Sequence, residues 1–141
     1  MKRAFSIGLY VIASLLSIVL GFLSFNYFIG RPQIGMINIS GVIWQPRTTE
    51  NILRMVHYVA ETPTIKAVVL VIDSPGGLAC PTEEIYLDIL RLKEKKPVVA
   101  SINQVGASGG YYIAVAANYI YAKPTSYVGS IGAVSYLPEP E

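Results

Sequence analysis

Two short stretches of this sequence carry residue types and spacings suited to chemistry on an acyl group. One is Gly106-Ala107-Ser108-Gly109-Gly110 and the other is Ser74-Pro75-Gly76-Gly77. Glycine lets a backbone approach a ligand closely and turn its N–H groups outward. A serine between such small residues can present its hydroxyl to a bulky acyl substrate. That hydroxyl is a weak nucleophile and needs a base. The acyl oxygen turns negative in the reaction and needs fixed donors, which glycine-turn amides can supply as an oxyanion hole. Each turn precedes a predicted helix, whose amino terminus adds partial positive charge. Ser108 is therefore the candidate nucleophile. The competing reading is that Ser108 only caps the helix after it.

Several other chemistries are excluded or disfavoured. The spacing Gly106-Ala107-Ser108-Gly109-Gly110 matches a nucleophile elbow, which needs an acid and then a histidine downstream. After Ser108 there is no histidine, and the only acids are Glu139 and Glu141. Neither turn ends in Gly-Lys-Ser/Thr, so neither is a phosphate-binding P-loop. The single cysteine, Cys80, rules out a disulfide framework within the chain and a cysteine-based zinc site. No cofactor or metal is expected. The net charge of +2 is supplied by Lys2 and Arg3, so a basic nucleic-acid surface is not expected.

The remaining titratable residues read as structural. His57, the only histidine, falls on an amphipathic helix in a surface or packing role. Asp73 sets its turn through its side chain. Cys80 reads as a small packed residue. Lys123 is a solvated loop charge, and residues 93–96 are a solvated helix end favoured by the dipole. Trp44 and the tyrosines are expected to pack. Asn38-Ile39-Ser40 is a glycosylation sequon by chance, inside a strand.

The elements that position the two turns follow from hydrophobic patterning. Residues 34–39 read as a strand ending at Ser40-Gly41. Thr49 is placed to cap a helix with Ile52, Val56, Val59 and Ala60 as its apolar stripe. Residues 67–72 form an uninterrupted, mostly β-branched run of the kind buried on both faces of a parallel sheet. A helix with Pro81 in its first turn and Ile85, Ile89 and Leu92 inward runs to about Lys95, its acids facing water. Strands follow at 98–102 and 119–122, with a short apolar helix at 111–117 between them. Residues 128–134 are extended but irregular. The alternation implies a mostly parallel sheet flanked by helices, with ligands bound beyond the carboxyl ends of the strands.

The amino terminus differs in kind. Residues 4–29 contain no charged side chain, which accounts for much of the 52% hydrophobic content. The run exceeds the roughly 20 residues that span a bilayer as a helix. It ends Phe25-Asn26-Tyr27-Phe28-Ile29-Gly30 without a small-residue cleavage site, so an uncleaved signal anchor is favoured over a signal peptide. Lys2 and Arg3 precede it and only Arg31 follows closely, which places the amino terminus in the cytoplasm and the remainder outside.

Three ordered motifs carry a resemblance. Residues 68–77, ending Asp73-Ser74-Pro75-Gly76-Gly77, are followed by Pro97-Val98-Val99-Ala100-Ser101 and then by Gly106-Ala107-Ser108-Gly109-Gly110-Tyr111-Tyr112-Ile113-Ala114. Gly129-Ser130-Ile131-Gly132 also matches in order and spacing. Together they resemble the SppA-type signal peptide peptidase family over nearly all of residues 34–134, and the anchor fits as well. The resemblance implies an α/β, ClpP/crotonase-like fold. It implies a serine endopeptidase with a serine–lysine dyad acting on remnant signal peptides and other membrane-associated polypeptides. On the family pattern Ser108 is the nucleophile, and the N–H groups of Gly76 and Gly109 form the oxyanion hole. The family's base is a lysine further along than Glu141, so it has no position in this sequence.

The expected organisation is a cytoplasmic stub and transmembrane anchor at residues 1–30 and a partial ClpP/crotonase-like domain at 31–141. The expected protein is a membrane-bound serine protease chain, truncated before its base and inactive alone. A peptide or signal-peptide substrate, membrane lipid and, by family, a homo-oligomer are its expected partners; no nucleic acid is. With a layer of the fold absent, exposed apolar surface is expected. The alternative is a catalytically inactive, membrane-tethered peptide-binding or scaffolding protein.

Overall fold

The computed structural model describes residues 2–29, 31–44 and 46–134. Glu139 and Glu141 lie outside the described residues. The chain separates into two units between Pro32 and Gln33.

The first unit is one helix, α1 (Lys2–Ile29). Within it, Ser6–Tyr27 has a mean hydropathy of 2.3 over 22 residues, long and apolar enough to cross a membrane. Its polar side chains turn back onto the helix. Ser14 Oγ donates to the Tyr10 carbonyl at 2.8 Å and Ser17 Oγ to the Ala13 carbonyl at 2.9 Å. Asn26 Nδ2 donates to the Phe22 carbonyl at 3.1 Å. These bonds satisfy donors that hydrocarbon cannot. The Arg31 guanidinium lies 5.3 Å from the centre of the Tyr27 ring, a cation–π contact.

The second unit alternates strand and helix: β1 (Gln33–Ser40), α2 (Pro46–Glu61), β2 (Ile65–Ser74), α3 (Ala79–Lys95), β3 (Val98–Ala107), α4 (Gly109–Val115), β4 (Tyr119–Ala122) and β5 (Tyr127–Gly129). All pairings are parallel. The order is β1-β2-β3-β4, and β5 pairs with the far end of β3.

Register decides what is buried. Ile37 pairs with Leu70 and Leu70 with Ala100; Ile39 pairs with Ile72 and Ile72 with Ile102. These residues share one face and are fully buried. They belong to one core with Ile52, Val56 and Val59 of α2, Ile85, Ile89 and Leu92 of α3, and Ile113 and Ala114 of α4. Burying each large aliphatic side chain is worth about 1.5–3 kcal/mol. The opposite face is different. Ile34 and Met36 are exposed there, and Val69, Val71 and Val99 are only partly buried. The burial on both faces expected for residues 67–72 is therefore not met among the described residues.

Four local expectations are corrected. Helix α2 starts at Pro46, whose fixed φ suits a first helical position. Thr49 is consequently buried inside the helix and is not its cap. Strand β3 runs through Gly106, which pairs with Ser74 and with Val128, so the glycine turn shrinks to Ser108. Lys96 is not simply solvated. Its Nζ donates to the Val59 carbonyl and, at 2.7 Å, to the Thr62 carbonyl, satisfying the end of α2. Asp88 does not face water: its side chain is 12% exposed and bridges His57 Nε2 at 2.9 Å and Arg91 Nη1 at 2.6 Å.

Candidate active site

The two glycine turns meet at the carboxyl ends of β2 and β3. Ser108 sits between β3 and α4 with φ 48° and ψ −119°. A non-glycine residue in such a conformation costs about 1–3 kcal/mol and persists only when its surroundings enforce it. Here they do. The Ser108 N–H donates to the Gly129 carbonyl at 2.9 Å, and the Ser108 carbonyl accepts the Tyr112 N–H at 2.9 Å. The Ser108 side chain makes no capping hydrogen bond, so the capping alternative is not realised. The residue is partly exposed.

Gly76 lies directly against this turn. A Cβ added there would sit 2.6 Å from the Gly109 nitrogen and 2.8 Å from Ser108 Cβ. Its φ of +97° also suits only glycine. A Cβ on Gly109 would meet Thr82 Oγ1 at 2.8 Å, and one on Gly110 would meet the Ser74 carbonyl oxygen at 2.5 Å. The start of α4 is thus packed onto the turn after β2 with no room for side chains.

Hydrogen bonds fix the turn after β2. The fully buried Ser74 donates its hydroxyl to the Gly41 carbonyl at 2.7 Å and accepts the Gly76 N–H at 3.1 Å. The segment after β1 continues the pairing around the corner. Gly41 N–H donates to the Asp73 carbonyl at 3.0 Å, Ile43 N–H to the Gly76 carbonyl at 2.9 Å, and Leu78 N–H to the Ile43 carbonyl at 2.8 Å. Thr82 Oγ1 ties the first turn of α3 to the Leu78 carbonyl at 2.7 Å.

This network assigns directions to the amides. The Gly76 N–H, expected in the oxyanion hole, is already donated to Ser74. A trans peptide points its N–H opposite to its carbonyl. Because Ile43, on the β1 side, holds the Gly76 carbonyl, the Gly77 N–H points to the β3 side, where Ser108 lies. Gly77 is exposed, and no acceptor for its N–H is found among the described residues. The Gly109 N–H, at the first position of α4, likewise has none.

The remaining candidates stand elsewhere. Asp73 does not close a local turn; its Oδ1 accepts the Val105 N–H at 3.0 Å, linking β2 to β3. Cys80 is exposed, not packed. Trp44 is 61% exposed, and Tyr58, Tyr119, Tyr121 and Tyr127 are exposed too, while Tyr86 and Tyr112 stack with centroids 4.5 Å apart. His57, Glu61, Asp88, Arg91 and Lys95 line a cavity of about 180 Å³ between the carboxyl ends of α2 and α3, at the opposite end of the sheet. There Lys95 donates a hydrogen bond to Glu61 at 2.7 Å and holds that carboxyl below its usual pKa. Among the described residues no cluster of three or more His, Cys, Asp or Glu is placed to hold a metal ion. Ile43 and Thr82 complete the site and were not singled out from sequence, while Ser74, Gly77 and Gly129 were named only as members of motifs, with no role of their own. Sequence reasoning named Gly76 in its place; alternation of amide direction along an extended strand end is the signal that could have found Gly77.

A parallel sheet with helices and two glycine turns at its strand ends defines an α/β fold, in keeping with the ClpP/crotonase-like class that the resemblance implies. Residues 91–139 match the model of peptidase family S49. The chain is 40% identical over 116 residues to the chloroplastic serine protease SPPA of Arabidopsis thaliana, covering 75% of this chain and 17% of that protein. It is 34% identical over 113 residues to Protease 4 of Haemophilus influenzae, covering 75% of this chain and 18% of that protein. The structure superposes with a TM-score of 0.64 and 25% identity on the 1510-N membrane-bound stomatin-specific protease, solved as a lysine-to-alanine mutant with a substrate peptide. That match covers 74% of this chain and 48% of the other. The chain belongs to peptidase family S49 as an SppA-type member. It spans less than a fifth of the length of these two curated relatives.

Proposed function

We propose that this chain carries the nucleophile and oxyanion hole of a membrane-anchored serine endopeptidase. Ser108 Oγ attacks the scissile carbonyl, and its proton passes to a lysine that residues 1–141 do not supply on the family pattern. The carbonyl oxygen moves between the N–H groups of Gly109 and Gly77, which takes the place of the Gly76 N–H. Gly76 supplies the close approach of the two turns. Collapse of the tetrahedral intermediate expels the amine and leaves an acyl-serine, which water then hydrolyses. The observation that carries this reading is the strained Ser108 beside two amides without acceptors.

The substrates are peptides, including remnant signal peptides and other membrane-associated polypeptides. Helix α1 holds the domain at the lipid surface, amino terminus in the cytoplasm and protease domain on the other side. Several copies assemble into the working enzyme. A second reading, a peptide-binding scaffold without turnover, is favoured by one fact: the Ser108 hydroxyl has no hydrogen-bond partner among the described residues.

The test is covalent. A peptidyl boronic acid adds to a serine hydroxyl and places a tetrahedral centre in the hole, without requiring turnover. The full chain in lipid discs is expected to show a tetrahedral ¹¹B signal that Ser108→Ala lacks. A parent chain with only trigonal boron removes the nucleophile assignment. An adduct without hydrolysis of the matching peptide amide is expected of residues 1–141 on either reading; hydrolysis by a longer form that supplies the lysine separates the protease from the scaffold.

A further inference from the structure

We propose that Ser74 is a positioning residue: its buried hydroxyl decides which amide of the second turn faces the nucleophile. The inference rests on the reading of Ser108 and its oxyanion hole given above. Ser74 is fully buried, and its Oγ touches two backbone groups and no substrate-facing one. The hydroxyl proton is committed to the Gly41 carbonyl, so the oxygen's lone pairs are what the Gly76 N–H meets. With that amide satisfied, the Gly76 carbonyl is free to accept from Ile43, and the Gly77 N–H is left facing Ser108.

Removal of the hydroxyl breaks this order. Gly76 is itself buried, so water does not replace the lost acceptor. The turn relieves the orphaned N–H by turning the Pro75–Gly76 peptide that carries it, which changes φ at Gly76, where no side chain resists. That change of φ carries the following Gly76–Gly77 peptide with it as a planar unit. The Gly77 N–H then leaves the hole while Ser108 keeps its own bond to Gly129. Ser74 thus acts on the oxyanion and not on the nucleophile.

The experiment compares the parent chain with Ser74→Ala and Ser74→Cys, all full-length in lipid discs. Affinity is measured for a peptidyl boronic acid and for the same peptide ending in a carboxamide, with Gly76 amide exchange followed by NMR. Ser74→Ala is expected to weaken the boronate about tenfold or more, a share of what one oxyanion donor supplies. It is expected to leave carboxamide affinity within about twofold, keep the tetrahedral boron signal, and speed exchange at Gly76. Ser74→Cys, close in size with a weaker acceptor, is expected to fall between. Equal weakening of both ligands, or unchanged boronate affinity and Gly76 exchange, overturns the proposal. If Ser74→Ala does not fold, Ser74→Cys decides on the same criteria. A parent chain that forms no tetrahedral boron overturns the reading of Ser108 and this inference with it, a result distinct from a parent adduct that Ser74→Ala leaves untouched.

Discussion

The turns after β2 and β3 face each other but are held by different forces. The turn after β2 is pinned by directional bonds: Ser74 to Gly41 and Gly76, Ile43 to Gly76, Leu78 to Ile43. The turn after β3 is held by contact, with Gly76, Gly109 and Gly110 packed where no side chain fits, and by one bond from Ser108 to Gly129. The difference matches their tasks. An oxyanion donor must point correctly, so hydrogen bonds set it. A nucleophile must stay in a costly conformation, so close packing and β5 confine it.

Breaking the packed side should cost most. Gly76→Ala adds a side chain at positive φ and a clash with the Gly109 nitrogen. It should lose about 3 kcal/mol or more and abolish the boronate adduct, checked by denaturant midpoint and ¹¹B NMR. Gly110→Ala pushes α4 off the Ser74 carbonyl, and about 1–3 kcal/mol is expected by the same measurement. On the hydrogen-bonded side the losses should be smaller. Asp73→Ala leaves the Val105 N–H without its acceptor, and about 1–2 kcal/mol is expected from thermal unfolding. Thr82→Val removes the bond to Leu78 with little change of shape, for about 1 kcal/mol. If Thr82→Val proves costlier than Gly76→Ala, the contrast between the turns is wrong.

The smallest effect belongs to the opposite end of the sheet. The Lys95 hydrogen bond and charge hold the exposed Glu61 carboxyl below its usual pKa. That pair therefore contributes stability above the unfolded-state carboxylate range and loses it as pH falls through the lowered folded value. Glu61→Gln should flatten this slight acid dependence in a pH series of melting curves. It should leave boronate affinity unchanged.

How much of this was legible in sequence depends on what each feature needs. The strand runs, the stripe Ile52-Val56-Val59 and the apolar run at residues 4–29 need only periodicity and composition, and the structure has strands, a buried stripe and one long apolar helix there. Ser108 was visible because its neighbours are glycine and alanine. The role of Ser74 was not, because its partner Gly41 lies 33 residues away across a strand pairing whose register periodicity alone does not set. Thr49 misled because it looks like a cap, while Pro46 starts the helix three residues earlier. Asp88 and Lys96 misled because their charges suggest water. Their partners, His57 and the end of α2, come from a neighbouring helix.

The bond from Ser108 to Gly129 has a consequence in time. The nucleophile leaves the ribosome before the residue that fixes its backbone does. A nascent chain stopped within β4 holds Ser108 and both glycine turns but lacks the carbonyl that keeps Ser108 in its strained form. Such a chain is expected to hold that residue less firmly than one in which β5 pairs with β3. The strained form of Ser108 thus depends on a three-residue strand that follows it in the sequence.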